Sequence, residues 1–190
     1  MTPERQAGSE PSLVTKISLV HEALAAGRID HAFGGALALA YYGEPRVTID
    51  IDLNVFIPAG DFDRVAAALQ PLGVDTAADS GLIARDEQVR TWWGRNPIDL
   101  FFAYDPFHDA MAREKRSVEF GDGRIPILSP EHLLVCKVIF DRSKDWIDIE
   151  QVLIAETVLS RDEIMGWLDR ILDPTDPRIL RFADLWQRTR

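Results

Sequence analysis

The order of helical and strand patterns predicts an α/β (α+β) chain, a mixed β-sheet flanked by helices and followed by a C-terminal helical region. Three observations carry this reading. Residues 47–57, "VTIDIDLNVFI", alternate apolar and polar side chains as a strand does. Short helical stretches bounded by glycine lie on either side of that run. From Ser129 onward only helical spacing recurs.

The elements follow in chain order. Residues 1–10 read as a flexible lead-in. Leu13, Ile17, Val20 and Leu24 recur at helical spacing and stop at Gly27. Residues 30–33 fit a short strand ending at Gly34-Gly35, and residues 36–43 a short helix stopped by Gly43 and Pro45. The run 47–57 is the clearest strand. It places Ile49, Ile51 and Leu53 on one face and Asp50 and Asp52 on the other. Asp61 stands where it would cap a helix over 62–73. Residues 81–93 and 97–104 read as two neighbouring strands about a "GRNP" turn, and 106–115 as a helix. A hairpin is expected about Gly121-Asp122-Gly123. Ser129 and Pro130 then open a helical stretch to residue 156, with Ser143 as a second cap. Helices over 160–172, with Ser160 and Glu163 as a capping box, and 176–190 complete the chain. The expected organisation is a lead-in (1–10), an α/β core (11–128) and a helical region packed on it (129–190).

Composition narrows the function classes. The chain has 190 residues, 46% hydrophobic and 27% charged, an ordinary globular balance. A net charge of -10 gives no global attraction for nucleic acid, so any RNA contact must use local basic patches. A single cysteine, Cys136, excludes an internal disulfide and a cysteine-based zinc site. No apolar run approaches ~18 residues and the first ten residues lack a hydrophobic signal core, which points to a cytoplasmic protein without membrane contact.

Aspartate is depleted in strands, and two carboxylates two residues apart on one strand face repel unless solvated or bridged by a cation. Asp50 and Asp52 therefore suggest a site for Mg2+, whose hard-oxygen ligands are typically one or two carboxylates plus substrate phosphates. Asp99 interrupts the next apolar strand in the same way. If the two strands are neighbours, three carboxylates meet on one surface and could hold divalent metal against a triphosphate. Asp105 and Asp109 are alternatives to Asp99. Gly34 and Gly35, at a strand-to-helix junction, would let backbone amides approach a phosphate. Lys137 interrupts the apolar run "LLVCKVIF" and must snorkel, pair with a carboxylate or face a cleft. Arg46 shares the parity of Asp50 and Asp52; pairing with a carboxylate ranks ahead of reaching a phosphate. The four histidines, at 21, 31, 108 and 132, show no metal-ligand spacing. Local basic patches are conceivable around Arg85, Arg90 and Arg95, along residues 112–116, and in the C-terminal helix. Trp92 and Trp93 read as packing or a cleft wall.

The block "GGALALAYYGEPRVTIDIDLNV" resembles the signature of the nucleotidyltransferase fold of the DNA polymerase β superfamily. Together with "LSPEHLLVCKVIFDRSKDWIDIEQVL", it is similar to the AbiEii/MenT-type nucleotidyltransferases, in which a helix lysine precedes an Arg-x-Lys-Asp-x-x-Asp pattern. Lys137, Arg142, Lys144, Asp145 and Asp148 stand in that pattern. The resemblance implies that Gly34 and Gly35 hold nucleotide phosphates and that Asp50 and Asp52 bind Mg2+ or Mn2+. Asp99 would be general base or further metal ligand, Lys137 would meet the triphosphate, and Asp145 or Asp148 would complete the late motif, with Asp145 counted as nucleotide-binding and partly structural. An NTP would be the donor, pyrophosphate the by-product, and tRNA a possible acceptor for a toxin with a cognate antitoxin. Two other readings stay open: transfer to a small molecule such as an aminoglycoside, and a non-catalytic nucleotide- or protein-binding module. The turn carries Gly-Gly where many superfamily members have Gly-Ser, which leaves substrate contacts there to backbone amides.

Overall fold

The computed structural model describes residues 10–77, 83, 85–155 and 158–190. The expected lead-in lies outside the described residues except for Glu10, which pairs with Lys16 and Arg95. The elements are α1 (Leu13–Ala26), β1 (His31–Phe33), α2 (Gly35–Leu39), β2 (Ile51–Val55), α3 (Phe62–Leu69), β3 (Gln88–Trp93), β4 (Asn96–Phe102), α4 (Pro106–Glu114), β5 (Arg116–Phe120), β6 (Gly123–Ile127), α5 (Pro130–Phe140), α6 (Ser143–Ile154), α7 (Arg161–Ile171) and α8 (Pro177–Thr189). The six strands form one mixed sheet in the order β3-β4-β2-β1-β6-β5. β2 runs parallel to β4 and β1 parallel to β6, while the remaining pairs are antiparallel. The anticipated mixed sheet with flanking helices is therefore present. α5 packs on α2 and against α6, α7 and α8, which seats the helical C-terminal third on the sheet-bearing part.

Local chemistry explains most boundaries. Three helices begin with an oxygen-bearing cap followed by proline: Asp105-Pro106, Ser129-Pro130 and Asp176-Pro177, each cap accepting from a first-turn amide. Asp105 thus serves α4, accepting from the amides of Phe107 and His108 and bonding His108 Nδ1 at 2.7 Å. It is a helix cap, not a substitute for Asp99, and Asp109 lies within the same helix. The long stretch after Ser129 is two helices, broken where Asp141 adopts a left-handed backbone (φ 53°). Arg142, not Ser143, caps α6. Asp61 occupies its cap position, but its side chain makes no cap bond.

Two strand expectations require correction. Residues 47–50 are outside β2: Thr48 Oγ1 accepts from Asp50 N at 3.1 Å, a local turn that takes the chain off the sheet. Ile49 is consequently 56% exposed, while Ile51, Leu53 and Val55 are buried. β3 starts at Gln88, with Arg85 and Asp86 helical; of the earlier residues in that expected strand, 81, 82 and 84 lie outside the described residues. The hairpin about Gly121 forms as anticipated.

One core feature lies outside the apolar pattern. Lys16, on the buried stripe of α1, is fully buried and donates to Glu10, to Trp93 O at 2.7 Å and to Asn96 Oδ1 at 2.7 Å. It pins α1 to the β3–β4 turn. No helix among the described residues is long and apolar enough to cross a membrane.

Candidate active site

Parallel pairing of β2 with β4 sets Asp52 beside Asp99 in register, so the two carboxylates share one sheet face. The glycine turn closes on the same point. Gly34 N donates to Asp52 O at 2.9 Å. Gly35 has φ +52°, and a Cβ there would lie 1.7 Å from Asp52 Oδ2. Only glycine satisfies both the backbone angle and the approach of the carboxylate. Gly35→Ala is therefore expected to displace Asp52 and to cost transfer activity on the order of 10²-fold, the scale of a ~1 Å misplacement at a catalytic centre. Initial-rate kinetics check this; an unaltered rate would show that the position of Asp52 is irrelevant.

The carboxylates crowd each other. Burial holds the Asp52 carboxyl above the usual range, the charges of Asp99 and Asp50 push it further, and Arg142 and Lys137 partly offset them. Asp50, just ahead of β2, is half-buried. Asp99 is already answered by a cation: Arg90, opposite it on β3, donates Nε and Nη2 to its two oxygens at 2.7 Å each. Arg90 is thereby removed from the local basic patch that the sequence left open around it. Arg85 and Arg95 are likewise paired, with Asp86 and Glu10.

Two adjoining clefts meet at Asp52. The first, about 190 Å3, is lined by Gly34, Gly35, Asn54, Tyr104, Phe107, Cys136, Lys137 and Phe140 among others and is mostly apolar. The second, about 370 Å3, carries Asp86, Arg90 and Asp99. Asp52, Asp86, Gln88, Phe101, Phe140 and Arg142 line both. Desolvation pushes the Cys136 thiol up to about 12, so this cysteine is a wall and not a nucleophile. Trp93 is buried in the core and Trp92 is exposed; neither lines these clefts.

The late motif forms a buried ion network. Lys137 Nζ donates to Asp148 Oδ2 at 2.6 Å and lies 3.6 Å from Asp145. Arg46 Nε approaches Asp148 at 3.3 Å, and Arg142 Nε donates to Asp145 at 2.6 Å. Arg46 pairs with a carboxylate, as ranked first, but the partner is on α6 instead of β2. Asp145 also accepts from the Arg142 amide and is fully buried. Neither Arg46 nor Asp145 lines the two clefts, whereas Lys137 lines the first. The C-terminal arginines are also engaged: Arg178 with Asp176, Arg188 with Asp184, and Arg181 over the Trp146 ring.

What sequence reasoning missed are Arg90 as the partner of Asp99 and the aromatic wall of Phe101, Tyr104 and Phe140. Strand register supplies the first, and the end of α5 bringing Phe140 against Phe101 supplies the second. Only the run "DLFFAY", which begins at Asp99, hinted at the wall.

The fold is shared with solved structures of low sequence identity. The antibiotic-resistance factor ANT(2'')-Ia in solution is 18% identical with a TM-score of 0.56, covering 92% of this chain and 95% of that chain. The crystal structure of ANT(2'')-Ia with adenylyl-2''-tobramycin is 16% identical with a TM-score of 0.54, covering 90% and 97%. An antigenic nucleotidyltransferase-like protein from Paracoccidioides brasiliensis is 16% identical with a TM-score of 0.53, covering 93% and 88%. No curated protein matches the sequence. The model of the family described as "Nucleotidyl transferase AbiEii toxin, Type IV TA system" matches residues 18–172. With Asp52 and Asp99 in register against the glycine turn, and with that match spanning most of its length, the chain belongs to the AbiEii nucleotidyltransferase family.

Proposed function

We propose that the protein uses Mg2+ or Mn2+ to transfer a nucleoside monophosphate from an NTP to an acceptor hydroxyl on tRNA, as the toxin of a pair with a cognate antitoxin. The observation that carries the reading is the Asp52–Asp99 pair held against Gly35. Asp50, Asp52 and Asp99 offer the hard oxygens these cations require, and the electrostatic crowding of Asp52 is the strain a divalent cation relieves. When bound, the cation neutralises triphosphate charge and polarises the attacked phosphorus.

The chain's own residues do the rest. The first cleft takes the nucleotide, its base against Tyr104 and Phe140 and its phosphates toward the Gly34-Gly35 turn. Arg142, on the boundary of both clefts, is the cation placed for the phosphates, with Lys137 held toward them by Asp148. The acceptor enters the second cleft. Arg90 is more than half exposed and can release Asp99, which then accepts the acceptor's proton. The acceptor oxygen bonds the α-phosphorus, and the bond from that phosphorus to the pyrophosphate oxygen breaks.

The test is to incubate the protein with Mg2+, each labelled NTP in turn and total cellular RNA, reading label in tRNA and pyrophosphate released. Label in tRNA that vanishes with Asp50→Ala supports the proposal. Full activity in that folded variant removes the carboxylate assignment.

A second acceptor is favoured by one observation. Asp52, Asp86 and Asp99 outnumber Arg90 and Arg142 in the lining of the second cleft, and the chain's net charge is -10, a setting in which a small polycation such as an aminoglycoside could displace the Arg90 side chain from Asp99. Turnover of a cationic small molecule, with RNA left unlabelled, would replace tRNA as acceptor.

A further inference from the structure

Away from the cleft, three side chains distant in sequence converge. Glu114 ends α4, His132 lies in the first turn of α5 and Glu163 in the first turn of α7. One ligand atom from each lies within 4.8 Å of the other two. His132 is fully buried, and its Nε2 has no hydrogen-bond partner; Glu163 Oε1 has none either. The two atoms stand 3.6 Å apart, too far for a hydrogen bond. That separation instead matches the ~3.4 Å edge of a tetrahedron whose metal bonds are ~2.1 Å.

The surroundings prepare the histidine as a ligand. Its other nitrogen, Nδ1, lies 2.7 Å from Ser129 Oγ, which also accepts from the His132 amide. In the tautomer that donates Nδ1–H to this hydroxyl, Nε2 carries the lone pair, as in a metal-bound histidine whose other ring nitrogen is held by a hydrogen bond. The glutamate is also turned from its ordinary task. Ser160 caps α7, and Glu163 at the third position would complete a capping box by accepting from Ser160 N. That amide donates instead to Glu131 Oε1 at 3.2 Å, which leaves the Glu163 carboxylate facing His132. Glu163 sits beside Glu114 with its carboxyl pushed up to about 7, by burial first, then by a side-chain hydrogen bond with Glu114 and by the Glu114 charge. The remaining charges nearby are Glu131, Arg113 and Arg116, the last 3.8 Å from Glu131. Glu114 is exposed, so the cluster opens to solvent on one side.

We propose that Glu114, His132 and Glu163 form a binding site for a Zn2+-class divalent cation that ties α4, α5 and α7 together. One imidazole nitrogen with two carboxylates favours Zn2+ or Co2+ over Mg2+, which takes oxygen ligands. The ligands are 18 and 31 residues apart along the chain, counted from the positions 114, 132 and 163, which is why no histidine spacing revealed them. None of the three lines the Asp52 clefts, so the proposal stands or falls separately from nucleotidyl transfer.

The test uses the full chain carrying Asp52→Asn, which weakens cation binding in the cleft. Equilibrium dialysis against Zn2+, Co2+ absorption and thermal unfolding with and without Zn2+ are the readouts. The expected result is one Zn2+ per chain, retained in excess Mg2+, intense tetrahedral Co2+ bands and a raised Tm. Glu163→Gln and Glu114→Gln should each weaken Zn2+ by about tenfold or more and abolish the rise in Tm. Glu114 is exposed, so its variant remains informative if substitution at buried His132 prevents folding. No retained Zn2+, displacement by Mg2+, or glutamine variants that bind Zn2+ as tightly as the chain with Glu114 and Glu163 intact would overturn the proposal.

Discussion

Asp52→Asn is expected to lower nucleotidyl transfer by roughly 10²–10³-fold, the scale lost when one preorganised electrostatic group at a reacting centre is removed. The same change should stabilise the protein in metal-free buffer at alkaline pH. The Asp52 carboxyl is held above its usual range by burial and by the charges of Asp99 and Asp50. A raised folded-state pKa means that the native protein binds this proton more tightly than the unfolded chain does. The penalty is absent below the ordinary carboxylate pKa of ~3.9 and grows as pH rises through the raised value. Wild-type stability should fall across that window, and the asparagine variant should escape this contribution. Thermal unfolding at pH 5 and pH 8 without divalent cation reads the difference. A variant less stable than wild type at pH 8 would show that the carboxylate is a structural partner and not a strained functional group.

Lys137→Met carries the second large effect, on stability. The ammonium is buried between Asp148 and Asp145, which are themselves 2% and 0% exposed. Removing it leaves two buried carboxylates short of a cation, a loss typically costing about 3–5 kcal/mol. Arg46 and Arg142 hold the outer edges of the network and moderate the loss without replacing the central charge. Urea unfolding of Lys137→Met, and of Lys137→Met with Asp148→Asn, separates the causes. The double variant should recover a substantial part of the lost stability, because it withdraws the orphaned charge. A single variant within ~0.5 kcal/mol of wild type would mean that the network is not energetically coupled.

Both effects converge on a division of labour inside the later motif. From sequence, Lys137 and Asp145 of that block read as nucleotide-binding, with Asp145 partly structural. In the fold Asp145 and Asp148 orient cations, Lys137 faces the cleft from within their grip, and Arg142 presents a half-exposed guanidinium at the junction of the two clefts. In the proposed mechanism, substitutions at Asp145 act through another residue, whereas those at Asp52 act on the reacting centre.

By itself the sequence determined the elements with strong local causes. Helical spacing set α1, a serine and a proline began α5, and a glycine turn closed the β5–β6 hairpin, because caps, turns and periodicity are settled within a few residues. It also marked Asp50, Asp52 and Asp99 as costly aspartates in apolar runs, and paired them with a glycine turn. Tertiary structure alone decided the rest. Whether Asp52 met Asp99 depended on a parallel register between strands about fifty residues apart, which no local pattern encodes. Ile49 left the core because the Thr48 hydroxyl accepted from the Asp50 amide two residues on, and Arg46 turned to Asp148 across more than a hundred residues. Arg90 reached Asp99, and Glu163 met His132, only once strands and helices had packed. Charge partners and ligand sets are long-range matches between side chains that each look solvated in sequence, and packing is what brings them together.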